Sequence, residues 1–260
     1  MDIETCQVHL NSKYADGYVD NNNSNCIFNL PILEIPSQHT AYLSVQHATI
    51  PYSFYNINSS NNTLYLQEIT VDAYGAQTGV INTYIYISVG NYNAYQLATY
   101  LGTIFPSNRI TVAYDNIKNK YTFTNSTYNF KFLNAYSTCL DLLGLSTNDL
   151  YNTSYVKILT APFQINLSPV SCICISTNLE TGSINNNFKY QSNILCSIPV
   201  NNNPFSLIEY KNTSNFKVNL HTNIFNSINI KLTDQYGNPI DLNNKYFNIT
   251  LQLDIVNFVE

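Results

Sequence analysis

The nine residues Phe247-Asn248-Ile249-Thr250-Leu251-Gln252-Leu253-Asp254-Ile255 alternate apolar and polar side chains without a break. That is the period of a strand with one face in a core and the other in water. Further runs that read as strands recur on both sides of the chain. Before residue 80 they are Cys6–Leu10, Cys26–Leu30, Ala41–Tyr55 and Thr63–Leu66. After residue 150 they are Val156–Leu159, Ile173–Ile175, Ile194–Ile198, Phe205–Ile208, Phe216–Leu220 and Ile228–Leu232. Polar clusters separate them, including Asp16 to Asn25, Asn58 to Asn62 and Asp234-Gln235-Tyr236-Gly237-Asn238-Pro239. These are turn residues, with side chains that bond their own backbone. Asn21-Asn22-Asn23 and its echoes at 185–187 and 201–203 mark loops and are too irregular for a repeat architecture. Pro51 interrupts the run Ala41–Tyr55 and predicts an edge, bulge or bend there. Thr63–Leu66 is expected to pair back on that run as a hairpin.

Between these two sets of strands the pattern changes. Thr83 to Val89 is a β-branched and aromatic run stopped by Gly90. Asn93 then offers a helix cap, with Gln96 at the capping-box position. Ala94, Leu97, Ala98, Leu101, Ile104 and Phe105 follow at helical spacing until Pro106. Ile110–Tyr114 and Tyr121–Thr124 alternate as a hairpin around the polar loop Asp115 to Asn119. A short helix is expected over Cys139 to Leu143, ended by Gly144 as a C′ glycine. Strands on either side of a helix-containing segment predict an all-β single jelly roll, an antiparallel β-sandwich, with an inserted α+β lobe. The boundaries read 1–79 for the first part of the jelly roll, 80–150 for the lobe and 151–260 for the second part. The strands flanking the insertion are expected to pair with each other.

Composition narrows the function. Charged residues are 10% of the 260, well under the roughly 25% of an average domain. Asparagine supplies much of the missing polarity, with 41 residues. An AT-rich genome would enrich Asn, Tyr and Ile, but lysine, also AT-coded, stays at ten. A surface built to be covered accounts for the rest, because uncharged polar groups cost less to desolvate and interface cores are depleted in charge. Arg109 is the sole arginine, the lysines are scattered from Lys13 to Lys245, and the net charge is −5. Direct nucleic-acid binding is therefore not expected, since phosphate neutralisation by cations supplies most of its affinity. The 22 tyrosines suit core and interface packing better than base stacking.

Candidate chemistry is sparse. Cys6, Cys26, Cys139, Cys172, Cys174 and Cys196 lack zinc spacing, and Cys172 and Cys174 read as buried thiols on one face of a strand before a soft-metal pair. Reduced thiols are expected, because the start Met1-Asp2-Ile3-Glu4-Thr5 has no apolar leader and no run reaches the ~18 residues of a membrane span. Asp234 and Asp241 fit turn chemistry better than calcium ligation, with no further acids close by. Phosphate-loop, dinucleotide, zinc-protease and nucleophile-elbow motifs are all missing. His9, His39, His47 and His221 show no metal pairing. The sequence nominates no catalytic residue, no cofactor-binding residue and no metal ligand, and predicts a protein that is not an enzyme and uses no cofactor.

Several segments together resemble a known family. They are Val89-Gly90-Asn91-Tyr92-Asn93 with Leu97 and Leu101, then Ile110 to Asp115, Lys120 to Asn125 and Leu142-Leu143-Gly144-Leu145. These are similar to the inserted region of penton (vertex) capsid proteins of virophages and related polinton-like viruses. His47 to Asn56 resembles an early segment of such proteins, and Leu232 to Leu242 with the alternating strand behind it resembles their C-terminal part. The resemblance implies a virion protein assembled as a homopentamer that closes the vertex of an icosahedral capsid. It implies contact with the major capsid protein, and with a host surface or fibre component through the lobe. Synthesis in the host cytoplasm and residence in the virion follow. Other minor capsid proteins of large DNA viruses share such pieces. A carbohydrate-binding jelly roll or fibre head is the competing reading, weakened by the absence of tryptophan.

Overall fold

The long alternation near residue 250 becomes a central strand flanked on both sides. The computed structural model describes residues 2–74, 76–145, 155–183 and 193–257. The chain divides into one unit made of Met1–Phe54 with Val170–Glu260 and a second made of Tyr55–Pro169. In the first unit, β1 (Asp2–Asn11), β2 (Gly17–Tyr18), β3 (Asn25–Glu34) and β4 (His39–Pro51) come from the N-terminal segment. The C-terminal segment supplies β11 (Cys172–Thr177), β12 (Ile194–Pro199), β13 (Leu207–Lys211), β14 (Val218–Leu220), β15 (Ile224–Thr233) and β16 (Asn248–Asn257).

One sheet runs β1-β16-β4-β13, with β14 also on β4, and the other runs β12-β11-β15-β3-β2. All pairs are antiparallel. Consecutive strands interleave between the two sheets in the order of a jelly roll. Ile249, Leu251 and Leu253 of β16 meet Phe28, Ile173, Ile175, Ile228, Ile230 and Leu232 from the other sheet in a single core. On β4 the alternation changes parity. Thr250 pairs with His47 but Leu251 pairs with Val45, so Gln46 is a bulge. Ala41, Leu43 and Val45 face the core before it, and Ala48 and Ile50 after it. Pro51 ends the strand opposite Leu207. The run Ala41–Tyr55 thus breaks at Pro51 as expected, and the bulge at Gln46 is a further irregularity five residues earlier. β4 and β11, which flank the second unit, lie in opposite sheets. The expected pairing of the flanks is therefore absent, because in this topology the chain changes sheets between them.

The second unit holds β5 (Thr63–Val71), β6 (Gln77–Tyr86), α1 (Ala94–Ile104), β7 (Ile110–Asp115), β8 (Lys120–Asn125), β9 (Asn129–Phe132) and β10 (Ile158–Thr160). Two three-stranded sheets, β6-β5-β9 and β10-β8-β7, share a core with α1. The capping box is complete. The Asn93 side chain accepts from the Gln96 amide at 2.9 Å, and Gln96 accepts from the Asn93 amide at 3.0 Å. Leu97 and Leu101 are fully buried beside Phe105, Phe123 and Phe132, whose rings meet at centroid distances of 5.1–6.3 Å.

Three local expectations change here. β5 pairs with β6 and β9, not with β4. Cys139 to Leu143 is a single turn, not a helix, closed by the Leu145 amide on the Leu140 carbonyl with Gly144 at φ +69°. The unit spans Tyr55–Pro169, wider than 80–150, because β5 is the middle strand of its first sheet. Residues after 158 also close on it, with Ala161 donating to Tyr121 and Phe163 to Gly144. The end of the expected lobe near residue 150 and the loop at 185–187 lie outside the described residues.

Candidate assembly surfaces

The residue types that most often carry chemistry are dispersed. His9 and His47 sit on the strands either side of β16, both opposite Thr250. His39 and His221 lie elsewhere, at the start of β4 and after β14. Among the described residues no three His, Cys, Asp or Glu side chains converge as a metal site. The Asp234 carboxylate accepts from the backbone amides of Tyr236 and Asn238 at 2.8 and 2.9 Å. Asp241 accepts from the Asn243 amide at 2.8 Å. Both carboxylates close turns. Cys26, Cys139 and Cys196 are buried, and desolvation pushes each thiol up to about 12. Burial, and then the adjacent Cys172 thiol, raises Cys174 as well.

Two polar stations hold charge under cover. In the first unit Asp254 projects from the outer side of β16 and accepts from Thr5 at 2.9 Å, Gln252 at 2.8 Å and Lys217 at 3.4 Å. Burial opposes its ionisation, but these donors and the Lys217 charge win and hold the carboxyl below its ordinary range. Lys217 also lies 4.8 Å from the centroid of the Tyr42 ring. In the second unit Glu68, 1% exposed, receives Arg109 at 2.7 Å and the Asn125 amide at 2.6 Å. Arg109 covers the Tyr128 ring at 5.1 Å. The hydrogen bond to Glu68 raises the guanidinium further. The sole arginine therefore pairs a buried acid, a role that composition alone did not reveal.

Two exposed patches of the second unit are aromatic. On the outer face of β5 and β6, Tyr65 meets Tyr84 at 4.4 Å and Tyr136 at 5.0 Å, and Tyr84 meets Tyr86 at 6.3 Å. Tyr84, Tyr86 and Tyr136 are each at least half exposed. In the next row of the same face the Gln67 side-chain amide donates to Asn82 at 2.9 Å. On α1, Tyr95, Gln96, Thr99, Tyr100 and Thr103 line a shallow groove. Stiff amphipathic rings of this kind suit recognition at low entropic cost. Nothing in either surface supplies a nucleophile, a general base or a phosphate cradle.

No protein-family model and no curated protein matches the sequence. A solved structure does, the crystal structure of selenomethionine-labelled mavirus penton protein. The chain shares its fold with that penton protein. The TM-score is 0.56 at 13% identity, over 98% of this chain and 100% of the other. Coverage of that extent takes in both units of this chain. Among the described residues no helix is long and apolar enough to cross a membrane.

Proposed function

We propose that the protein is a structural virion component, a penton that closes the vertex of an icosahedral capsid as a homopentamer. One observation carries the reading, the full-length likeness to the mavirus penton protein, insertion included. The charge-poor composition agrees with it, since subunit contacts must desolvate large areas of surface. A ring of five needs a heterologous contact, in which one patch of each copy meets a different patch of the next. The partners are further copies of this chain and the surrounding major capsid protein, with the inserted unit available to a host surface or fibre. Synthesis takes place in the host cytoplasm and the working location is the virion. No catalytic step is assigned.

The test is localisation in purified particles. Cryo-microscopy should place this chain as five-fold density at every vertex. Density for it at any other capsid position would overturn the vertex role while leaving the jelly roll untouched.

A further inference from the structure

Cys26 and Cys196 fill the core of the first unit and Cys139 that of the second, where a thiol serves as a small apolar group. Cys172 and Cys174 are placed differently. Alternation along β11 sends Ile173 and Ile175 into the core, so both of these thiols project from the other side of the sheet. Their neighbours there are polar. Ser197 on β12 and Thr233 on β15 stand directly opposite Cys174, and the Cys174 thiol reaches the Ser197 hydroxyl at 3.9 Å. The turn after β15 comes back to pair Pro239 with Thr233, and its Gln235 side chain accepts from the Ser171 amide at 3.1 Å. Cys174 is 7% exposed, whereas Cys172 keeps an opening to solvent. Apolar filling explains the first three thiols and leaves this adjoining pair, in polar surroundings with an entry path, without a packing role.

We infer that Cys172 and Cys174 form a two-coordinate site for a soft monovalent cation, copper(I). The strand's spacing selects a bridging ion over a sulfur–sulfur bond. Same-face neighbours in a strand stand two rises apart, about 6.7 Å, and β11 is held extended by its pairing to β12 over Cys172–Ile175 and to β15 from Cys174. A disulfide needs Cβ atoms about 3.5–4.5 Å apart, closer than this backbone sets them. An ion held linearly at about 2.3 Å from each sulfur, the distance of a zinc thiolate, asks only that the sulfurs lie roughly 4.6 Å apart, which two side chains leaning together supply. Ligand number then selects the metal. Structural zinc takes four ligands, and among the described residues no third His, Cys, Asp or Glu side chain joins this pair. Thiolates favour copper(I), a cation content with two of them. Binding turns two thiols and one copper(I) into one bis-thiolate complex of charge −1, releases both thiol protons to solvent and transfers no electron. The Ser197 hydroxyl is then free to donate to the Cys174 sulfur, the outer-shell support a metal ligand needs. The Asp234 charge acts on Cys174 through space, against a bare thiolate and in favour of one that carries a cation. The site belongs to the first unit alone and stands apart from the vertex reading, so each can fail without the other.

Anaerobic titration of the reduced full chain tests this, in a Cys6→Ser background that removes the exposed thiol. Copper(I) is supplied as its bicinchoninate complex, whose colour fades as the metal leaves it. The chain should withdraw one equivalent and gain a thiolate-to-copper absorption band in the ultraviolet. Cys172→Ser, at the more open position, and Cys174→Ser should each weaken binding at least about tenfold while their circular dichroism melts stay cooperative. Cys139→Ala, which alters a buried thiol of the other unit, should bind copper as before. Failure to withdraw copper, equal binding by the two serine variants, or retention of zinc in preference to copper(I) would each overturn the inference. So would a Cys172–Cys174 disulfide formed in the folded chain under mild oxidation, because the strand would then have allowed the closure that its spacing forbids.

Discussion

Glu68 occupies an inward position of an alternating strand, between Leu66 and the polar end of β5, and only Arg109 and Asn125 make that position tolerable. Arg109→Ala would leave a carboxylate buried without its cation, a change that costs about 3–5 kcal/mol. Urea denaturation should show that loss, and Arg109→Ala with Glu68→Leu together should recover much of it. Asp254 gives the opposite kind of signature, one written in pH. Its folded pKa lies below the ordinary 3.8, so the folded state binds its proton less readily than the unfolded chain does. The stabilisation is present above the unfolded value and is lost as pH falls through the lower, folded one. Stability measured down through pH 4 should therefore fall more gently for Asp254→Asn than for the native chain. Thiol reactivity offers a third residue-level measurement. Cys6 is exposed and should react at once with a disulfide reagent, whereas Cys26, Cys139 and Cys196, pushed up to about 12 by burial, should react only on unfolding.

At the level of elements, local signals were legible and pairing partners were not. The capping box at Asn93 and Gln96, the stop before Pro106 and the hairpin around Asp115 to Asn119 were all readable, because each is decided by neighbours in sequence. The partner of Thr63–Leu66 was not readable. Alternation tells a strand which face to bury and says nothing of which strand lies beside it, so β5 went to β6 and β9. β6 itself begins six residues before the β-branched run at Thr83, through Gly79, a residue that weakens a strand signal. The acid and sole arginine of the buried pair were also on the page, yet their meeting depends on a separation of 41 residues. The apolar stretch at Cys139 closed as one turn because Gly144 reverses the chain at once. A Cβ there would sit 2.5 Å from the Phe163 carbonyl oxygen. Gly144→Ala should thus destabilise the second unit by more than the 1–2 kcal/mol of left-handed backbone strain alone. Asn93→Ala should cost about 1 kcal/mol, both read by thermal unfolding.

For the whole molecule, the jelly roll was legible from two groups of alternating strands, and the extent of the inserted unit was not. Its edges fall at Tyr55 and Pro169, where no composition shift marks them. Replacing 55–169 by a short Gly/Ser linker should leave a β-rich protein that melts cooperatively, since both sheets and their core are drawn from outside that range. Loss of all cooperative structure would count against independent units. The position of β16 carries a consequence in time. It is the last of the described strands in chain order, yet it lies between β1 and β4, and among the described residues β1 pairs with no other strand. Even its nearest pair with β1, Asn11 with Asn248, spans most of the chain. Until β16 has emerged, β1 has no neighbour and β4 keeps an open side. The first sheet therefore cannot be completed before β16 is available, and so distant a closure makes folding slow. A chain ended before Asn248 should accumulate as aggregate, and the intact chain should need a waiting period, guarded from its neighbours, before it becomes competent to assemble.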